Sequence, residues 1–437
     1  MLKSLRGIAG AYIAYPIAES FEKRNISSKV KELENYYKTS FEKRKEHAHH
    51  QLVEILNFSN RNIPYYKDLF SSLNFDPESV RRDIKYLEEI PYLTKEIIRE
   101  QGDRLFSTPL ESIRHHHRKT GGSTGVSMDV YYDQIGLDYS AAVTKYARQR
   151  IGHSAHKSEL HFAASFAEPP KTTLPSKDDI KNFALNRSNA FFDRLDSIGL
   201  EKIWQTLQQR RVNLVHGHPS TLYALACYVE SKHQGKKVFD IFESSGELLQ
   251  PYMREKIAEV FNCKVIDRYG SAEFGVIAYE LDGHENGLQV LESEGWPENR
   301  STEDGDELVF TGFHNRLMPL IRYATGDMAK VEETKNAFVL TNVVGRIHDM
   351  VPINGIEYPT HNIMDILDHL VGGIQEFQID LREDKPVLRI ALEPTAIVEE
   401  ISAKIKAQWQ DAFNVEYVGH EDFIRVGNRA KFRHVVK

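Results

Sequence analysis

The sequence has little of what would mark several large classes of protein. Its 437 residues hold only two cysteines, Cys227 and Cys263, far apart and outside any CxxC pair. Neither a disulfide framework nor a cysteine zinc site is supported, and a reducing, cytoplasmic setting is expected. No apolar run is long enough to span a bilayer. Internal repeats and low-complexity tethers are absent. The net charge is only −7, so nothing global points to nucleic acid as a partner. Any phosphate the chain binds must be held locally. Three histidines in a row, His115 to His117, are a poor metal set, because consecutive residues of a strand cannot all face one ion.

What remains is an ordinary folded composition, 41% hydrophobic and 27% charged. The length exceeds what one core usually serves, which predicts a large domain and a smaller one. At the N-terminus, Lys3 and Arg6 precede an uncharged run from Gly7 to Ala18 that has the outline of a signal peptide. Pro16 interrupts the run and the charged stretch Glu19 to Lys31 follows. An amphipathic helix making a peripheral membrane contact is the preferred expectation over secretion.

Helical spacing covers Val30 to Ile63 and should stop at Pro64. Short apolar runs then alternate with helical stretches: Arg211 to Val215 before Ser220 to Ser231, and Val238 to Phe242 before Pro251 to Phe261. This is an α/β rhythm. Strand-like segments cluster at Lys264 to Asp267, Glu307 to Thr311, Met328 to Glu332 and Ala337 to Thr341. Beyond Gly345 come a helix at Thr360 to Leu370, a hairpin around Glu383-Asp384, and a helix with Ile397, Ile401, Ile405, Trp409 and Phe413 at i, i+4 steps. The expected architecture is α/β: a large N-terminal domain with several sheets over 1–344, opened by a helical segment 1–64, and a small mobile α+β domain over 345–437.

Three motifs carry chemistry. Thr120-Gly121-Gly122-Ser123-Thr124-Gly125 lets backbone approach an oxyanion and offers amide and hydroxyl donors, although a flexible surface turn would look the same. It lacks the Gly-Lys-Ser/Thr of a Walker A loop. In Tyr269-Gly270-Ser271-Ala272-Glu273-Phe274-Gly275, a carboxylate among small residues suits a magnesium ion shared with phosphates, and Tyr269 offers a flat face to a base. A core tyrosine and a helix-starting glutamate are the alternative. In Arg322-Tyr323-Ala324-Thr325-Gly326-Asp327, Asp327 can accept two hydrogen bonds from a ribose diol, or can serve an Asx-type turn. Gly345-Arg346-Ile347-His348-Asp349-Met350 follows.

These pieces, in this order from about Tyr65 to Lys431, resemble the adenylate-forming superfamily of acyl-CoA synthetases, adenylation domains and luciferases. The segments Leu308-Val309-Phe310-Thr311 and Met318-Pro319-Leu320-Ile321-Arg322-Tyr323 read most like its phenylacetate-CoA ligase and CapK-like branch. The resemblance implies ATP, Mg²⁺ and coenzyme A as cofactors, with Thr120 to Gly125 as the phosphate loop and Glu273 helping to hold magnesium. It puts Tyr269, in the segment with Gly270, Ser271 and Ala272, against adenine. Asp327 falls on the ribose hydroxyls, Arg346 near ribose or phosphate, and Ser245-Gly246-Glu247 at the adenine pocket. Lys431 stands where the family places its C-terminal catalytic lysine; read without the resemblance, it would be a solvated charge.

The chain departs from the family pattern in places. Gly121 stands where many relatives have serine, Val126 where lysine is frequent, Ser127 in place of proline, and His348 where the hinge aspartate commonly lies, with Asp349 beside it. The implied reaction is attack of a carboxylate on the ATP α-phosphate, giving acyl-AMP and pyrophosphate, then acyl transfer to coenzyme A after the small domain turns about Gly345 to Asp349. Transfer to an amine, a sugar amine or a carrier-protein thiol is the second expectation. A non-catalytic nucleotide-binding scaffold is the third. The acid is not specified: Phe162, Phe166, Tyr269 and Phe274 suit an apolar or aryl acid, while His161, His216 and His218 suit a hydroxylated or amino acid.

Overall fold

The computed structural model describes all of the chain except residues 1, 120–127, 165–174, 193–196, 211, 234, 282–286, 304, 347–349, 361–362, 364–365 and 427–430. Contacts group the chain into two compact units. One comprises Met1–Tyr15, Ala155–Asp267 and Val344–Lys437; the other comprises Pro16–Ser154 and Arg268–Val343.

The first unit is built on a five-stranded parallel sheet in the order Arg187–Phe192, Glu159–Ala164, Leu214–Gly217, Ile241–Ser244, Lys264–Ile266. Helices Ser197–Arg210, Pro219–Lys232 and Pro251–Phe261 make the crossovers that parallel pairing demands. Leu160, Val215, Phe242 and Val265 of the strands form one core with Trp204, Leu207, Leu222, Leu225 and Ile257 of these helices. Proline at the first turn starts two of them, where its missing N–H costs nothing. Left-handed Asn262 ends the helix Pro251–Phe261.

The same unit contains a four-stranded sheet in the order Asn414–Tyr417, Val387–Leu392, Ile374–Asp380, Val435–Val436. Helix Val398–Trp409 covers it, burying Ile401, Ile405 and Trp409 against Phe377, Ile379, Leu388 and Ile390. The expected hairpin around Glu383-Asp384 is present between the strands Ile374–Asp380 and Val387–Leu392. In the expected helix Thr360 to Leu370, Thr360 and Ile363 are helical and Ile366–Val371 is a π-helical turn, with residues 361–362 and 364–365 outside the described set. Tyr252 donates a hydrogen bond to Glu376 at 3.0 Å and Tyr223 one to Gln375 at 3.2 Å, fastening the helices of the parallel sheet to the smaller sheet.

The second unit pairs helices Ile26–Tyr36, Phe41–Asn62, Pro64–Leu73 and Gln134–Arg150 with a seven-stranded sheet. Its order is Gly295–Thr302, Gly305–Gly312, Tyr323–Glu333, Phe338–Arg346, Leu288–Val290, Gly275–Tyr279, Arg268–Ser271. Its core joins Leu52, Leu56, Tyr66 and Phe70 of the helices, and Ile63 between two of them, to Ile277, Leu308, Phe310, Tyr323 and Leu340 of the sheet. The single helix read from Val30 to Ile63 is two helices, broken at Tyr37 to Ser40, and Pro64 opens a third.

Near the N-terminus, where the sequence suggested an amphipathic helix, helical structure runs Leu2–Ala9, Gly10–Ala14 and Tyr15–Phe21 and continues through Pro16. The middle piece is a π-turn closed by the Tyr15 N–H on the Gly10 carbonyl. This wider turn accommodates a proline that would strain a regular α-helix. A methyl at Gly7 would lie 2.0 Å from the His156 carbonyl oxygen, so the glycine is required by close approach. Leu5, Ile8 and Tyr12 are exposed. Among the described residues, no helix is long and apolar enough to cross a membrane.

Candidate active site

The motif Tyr269 to Gly275 forms a hairpin, not the start of a helix. Arg268–Ser271 pairs antiparallel with Gly275–Tyr279, and Ala272, Glu273 and Phe274 make its tip. The tip is held from two sides: the Tyr132 hydroxyl donates to the Ala272 carbonyl at 2.8 Å, and the Tyr323 hydroxyl donates to Glu273 Oε1 at 3.0 Å. Glu273 is buried, and among the described residues its Oε2 has no hydrogen-bond partner. A buried carboxylate oxygen left unpaired is costly unless a ligand satisfies it. One hard oxygen, with substrate phosphates to complete the shell, fits the way magnesium is usually held in nucleotide sites. No group of three His, Cys, Asp or Glu able to hold a metal occurs among the described residues.

Asp327 is set by an irregularity in the sheet. Between the rungs Val309↔Ala324 and Glu307↔Met328, Leu308 lies opposite Thr325 to Asp327, so the strand bulges. The Thr325 hydroxyl donates to the Leu308 carbonyl at 2.7 Å and accepts the Asp327 N–H at 3.1 Å. Gly326, with φ of 75°, occupies the left-handed region, and its N–H donates to buried Glu307 at 2.9 Å. The turn is therefore maintained by Thr325 and Glu307, leaving the Asp327 carboxylate to accept the Tyr269 hydroxyl at 2.5 Å. Tyr269 and Asp327, 58 residues apart, meet.

Residues Thr120 to Gly125 lie outside the described set. The strands that bracket them, His116–Lys119 and Asp129–Tyr132, pair with each other through the rung Lys119↔Asp129, and the Arg118 guanidinium lies 4.6 Å from the Tyr132 ring centre. His117 pairs with Asp129 at 2.6 Å and His115 bonds to the Leu110 carbonyl, so these histidines have protein partners.

In the first unit, Ser245-Gly246-Glu247 follows the strand Ile241–Ser244, with Gly246 at a φ of 85°. Glu247 is satisfied by protein: Oε2 accepts the Ser220 hydroxyl at 2.5 Å and Oε1 accepts the Phe432 N–H at 2.7 Å. Phe432 follows Lys431 in a two-stranded ribbon, Arg425–Val426 with Lys431–Phe432. Arg346 ends the strand Phe338–Arg346, while His348 and Asp349 fall outside the described residues. His161, His216 and Glu243 are neighbours across three adjacent parallel strands, with His216 Nδ1 2.8 Å from the buried Glu243 carboxylate and the two imidazole rings 4.8 Å apart. Phe166 lies outside the described set.

Sequence reasoning assigned no role to Tyr132, Tyr323, Ser220 or Arg425, nor to a buried group beside Glu273. A cavity of about 30 Å³, room for a water molecule, is lined by Glu273, Glu294, Tyr132, Phe274 and His314. His314 stacks on Tyr139 at 3.6 Å and bonds to the Ser293 carbonyl; burial pushes it down to about 4. Burial pushes the Glu294 carboxyl up to about 8, against a hydrogen bond from Ser293. The two act in opposite senses. His314 adds stability as pH rises from 4 to 6.5, whereas Glu294 removes it from 4.5 to 8 as the unfolded chain ionises first. Above pH 6.5 only the loss remains within this pair, and Glu294 should contribute a fall of about 2 kcal/mol between pH 6.5 and 8. Urea unfolding of Glu294→Gln should show that decline removed; an unchanged slope would assign it to other groups.

No family model matches the chain. Two curated relatives are similar over most of its length. Protein CapK of Staphylococcus aureus is 21% identical over 386 residues, 85% of this chain and 83% of the relative. The phenylacetate-coenzyme A ligase of Escherichia coli (strain K12) is 23% identical over 324 residues, 69% of this chain and 70% of the relative. Among solved structures, 2-hydroxyisobutyryl-CoA ligase in the postadenylation state with 2-HIB-AMP aligns with a TM-score of 0.67 at 19% identity, covering 91% of this chain and 90% of that one. The same ligase with 2-HIB-AMP and CoA in the thioesterification state aligns at 0.57, again covering 91% and 90%. The chain has the fold of the adenylate-forming acyl-CoA ligases and, within them, resembles the phenylacetate-CoA ligase and CapK branch.

Proposed function

We propose that the chain is an adenylate-forming ligase that activates a carboxylic acid with ATP to an acyl-AMP, releasing pyrophosphate, and then passes the acyl group to coenzyme A. The observation that carries this reading is the meeting of separate motifs on one sheet: Tyr269 with Asp327, and Glu273 with Tyr323. Tyr269 offers its ring to adenine, and Asp327 exchanges the Tyr269 hydroxyl for the ribose diol. Gly270, where a Cβ would collide with the Gly275 carbonyl, lets the hairpin close, and Ser271 and Ala272 carry it on toward the tip. Thr120 to Gly125 supply donors to the phosphates, and Arg346 adds charge near ribose or phosphate. Magnesium, when bound with ATP, would neutralise phosphate charge, with Glu273 Oε2 as its protein ligand. Lys431 stabilises the charge that builds between the incoming carboxylate and the α-phosphate. Residues 345–437 act as the lid domain that brings Lys431 to the site and withdraws it.

The test is acid-dependent ATP–pyrophosphate exchange across aryl, fatty, hydroxy and amino acids, followed by coenzyme A. Exchange with one class and AMP release on adding coenzyme A are expected. Exchange without that release would make the acceptor an amine, a sugar amine or a carrier thiol. Folded protein with no exchange for any acid would support a nucleotide-binding scaffold instead.

A peripheral membrane contact, with the enzyme otherwise cytoplasmic, is the accompanying reading for the N-terminal helix, supported by exposed Leu5, Ile8 and Tyr12 in a sequence that also carries Lys3 and Arg6. Co-sedimentation with anionic vesicles should be lost on removing residues 1–20; equal sedimentation of both chains would dismiss it.

A further inference from the structure

Glu247 does two things at once. Its Oε2 accepts the Ser220 hydroxyl at 2.5 Å and the Ser220 N–H at 3.3 Å, which places a carboxylate at the N-terminus of helix Pro219–Lys232, a favourable position for negative charge. A helix cap needs no more than that. The second oxygen reaches a residue 185 positions away: Oε1 accepts the Phe432 N–H at 2.7 Å.

Phe432 and Arg425 are cross-strand partners in the ribbon, with Val426↔Lys431 as the next rung. Arg425 Nη1 donates to the Ser220 hydroxyl at 2.5 Å and lies 3.8 Å from Glu247 Oε1. Both members of one rung are thus held by the Ser220–Glu247 pair. The grip is nearly dry: the Glu247 and Arg425 side chains are 5% and 15% exposed. Charge-assisted bonds shielded from water are stronger than exposed ones. Phe432 is buried beside Phe423, their ring centres 5.3 Å apart, which limits sliding of the ribbon.

We propose that Glu247 is a positioning residue for Lys431: it fastens the ribbon to the turn after strand Ile241–Ser244 and thereby fixes the lysine backbone for acyl-AMP formation. This rests on the adenylation reading above. It also gives Glu247 a role other than contact with adenine, since both its oxygens are already bonded to protein. The clamp serves only the first half-reaction, because the second needs the lysine withdrawn.

The test separates the half-reactions in the full-length chain, using the acid that supports exchange. Glu247→Ala should lower pyrophosphate exchange at least tenfold, mainly in kcat, with the KM for ATP nearly unchanged. Thioester formation from supplied acyl-AMP and coenzyme A should stay within twofold, which also reports that the variant folds. Glu247→Gln, which keeps an acceptor for the Phe432 N–H, should recover most of the exchange. Amide hydrogen exchange at Phe432 should accelerate in the alanine variant and not in the glutamine one. Equal loss of both half-reactions, or a loss confined to the KM for ATP, would overturn the proposal. So would unchanged exchange. Absence of exchange in the unmodified chain with every acid would overturn the adenylation reading and this proposal with it.

Discussion

Lys431→Ala is expected to lower acid-dependent pyrophosphate exchange by about a hundred- to a thousandfold, the scale of losing one preorganised electrostatic donor at a transition state. ATP affinity should hardly change. The reason is differential: in the proposed role the ammonium would meet charge that appears only as the carboxylate closes on the α-phosphate, so its removal should lower kcat rather than ground-state binding. Its backbone is well anchored for such a role, with Val426 opposite it and the next amide bonded to Glu247. Coenzyme A thioester formation from supplied acyl-AMP should survive the substitution. Normal exchange in the alanine variant would remove the lysine from the mechanism, while loss of ATP binding as well would point to a damaged site.

The second large effect is expected at Glu273. Glutamine there keeps the volume and an acceptor for the Tyr323 hydroxyl, so the hairpin tip should retain its shape. It replaces the buried Oε2, which has no partner among the described residues, by a neutral amide and takes away the carboxylate charge. Exchange should fall by about a hundredfold, and more magnesium should be needed for half-maximal rate. Tyr323→Phe provides the contrast: it leaves the charge in place and frees only the orientation of the carboxylate, so its effect should be smaller. If Glu273→Gln left the magnesium dependence unchanged, the carboxylate would be a structural member of the hairpin and not a ligand.

Local chemistry made part of this architecture readable beforehand. Helix Pro251–Phe261 has the bounds expected from its proline start and apolar spacing, and the strands around Glu383-Asp384 are signalled by a polar turn between alternating segments. The helix expected near the N-terminus is there, but the π-turn that precedes Pro16 has no sequence signature. Tyr37 to Ser40 breaks a helix without proline or glycine, which spacing alone could not reveal. In the candidate site, the motifs indicated which residues to examine, whereas their partners lie far away in the chain. Tyr323 reaches Glu273 across 50 positions, Tyr132 reaches Ala272 across 140, and Glu247 reaches Phe432 across 185. Such contacts are created by tertiary folding. Glu294 was equally hidden, since a glutamate before a glycine reads as a surface residue until folding buries it with His314 3.8 Å away.

The interleaving of the two units bears on how the chain is made. The unit that begins with Met1–Tyr15 also needs Ala155–Asp267 and Val344–Lys437, and the other unit is divided between Pro16–Ser154 and Arg268–Val343. During synthesis, neither can complete its contacts until a distant stretch has left the ribosome. Helices such as Phe41–Asn62 can form early, but the apolar faces that Ile277, Leu308 and Phe310 will cover must wait for more than two hundred further residues to emerge. Long-range contacts of this kind slow folding and expose sticky surface meanwhile. Separately expressed halves cut at a midpoint would each lack part of both cores.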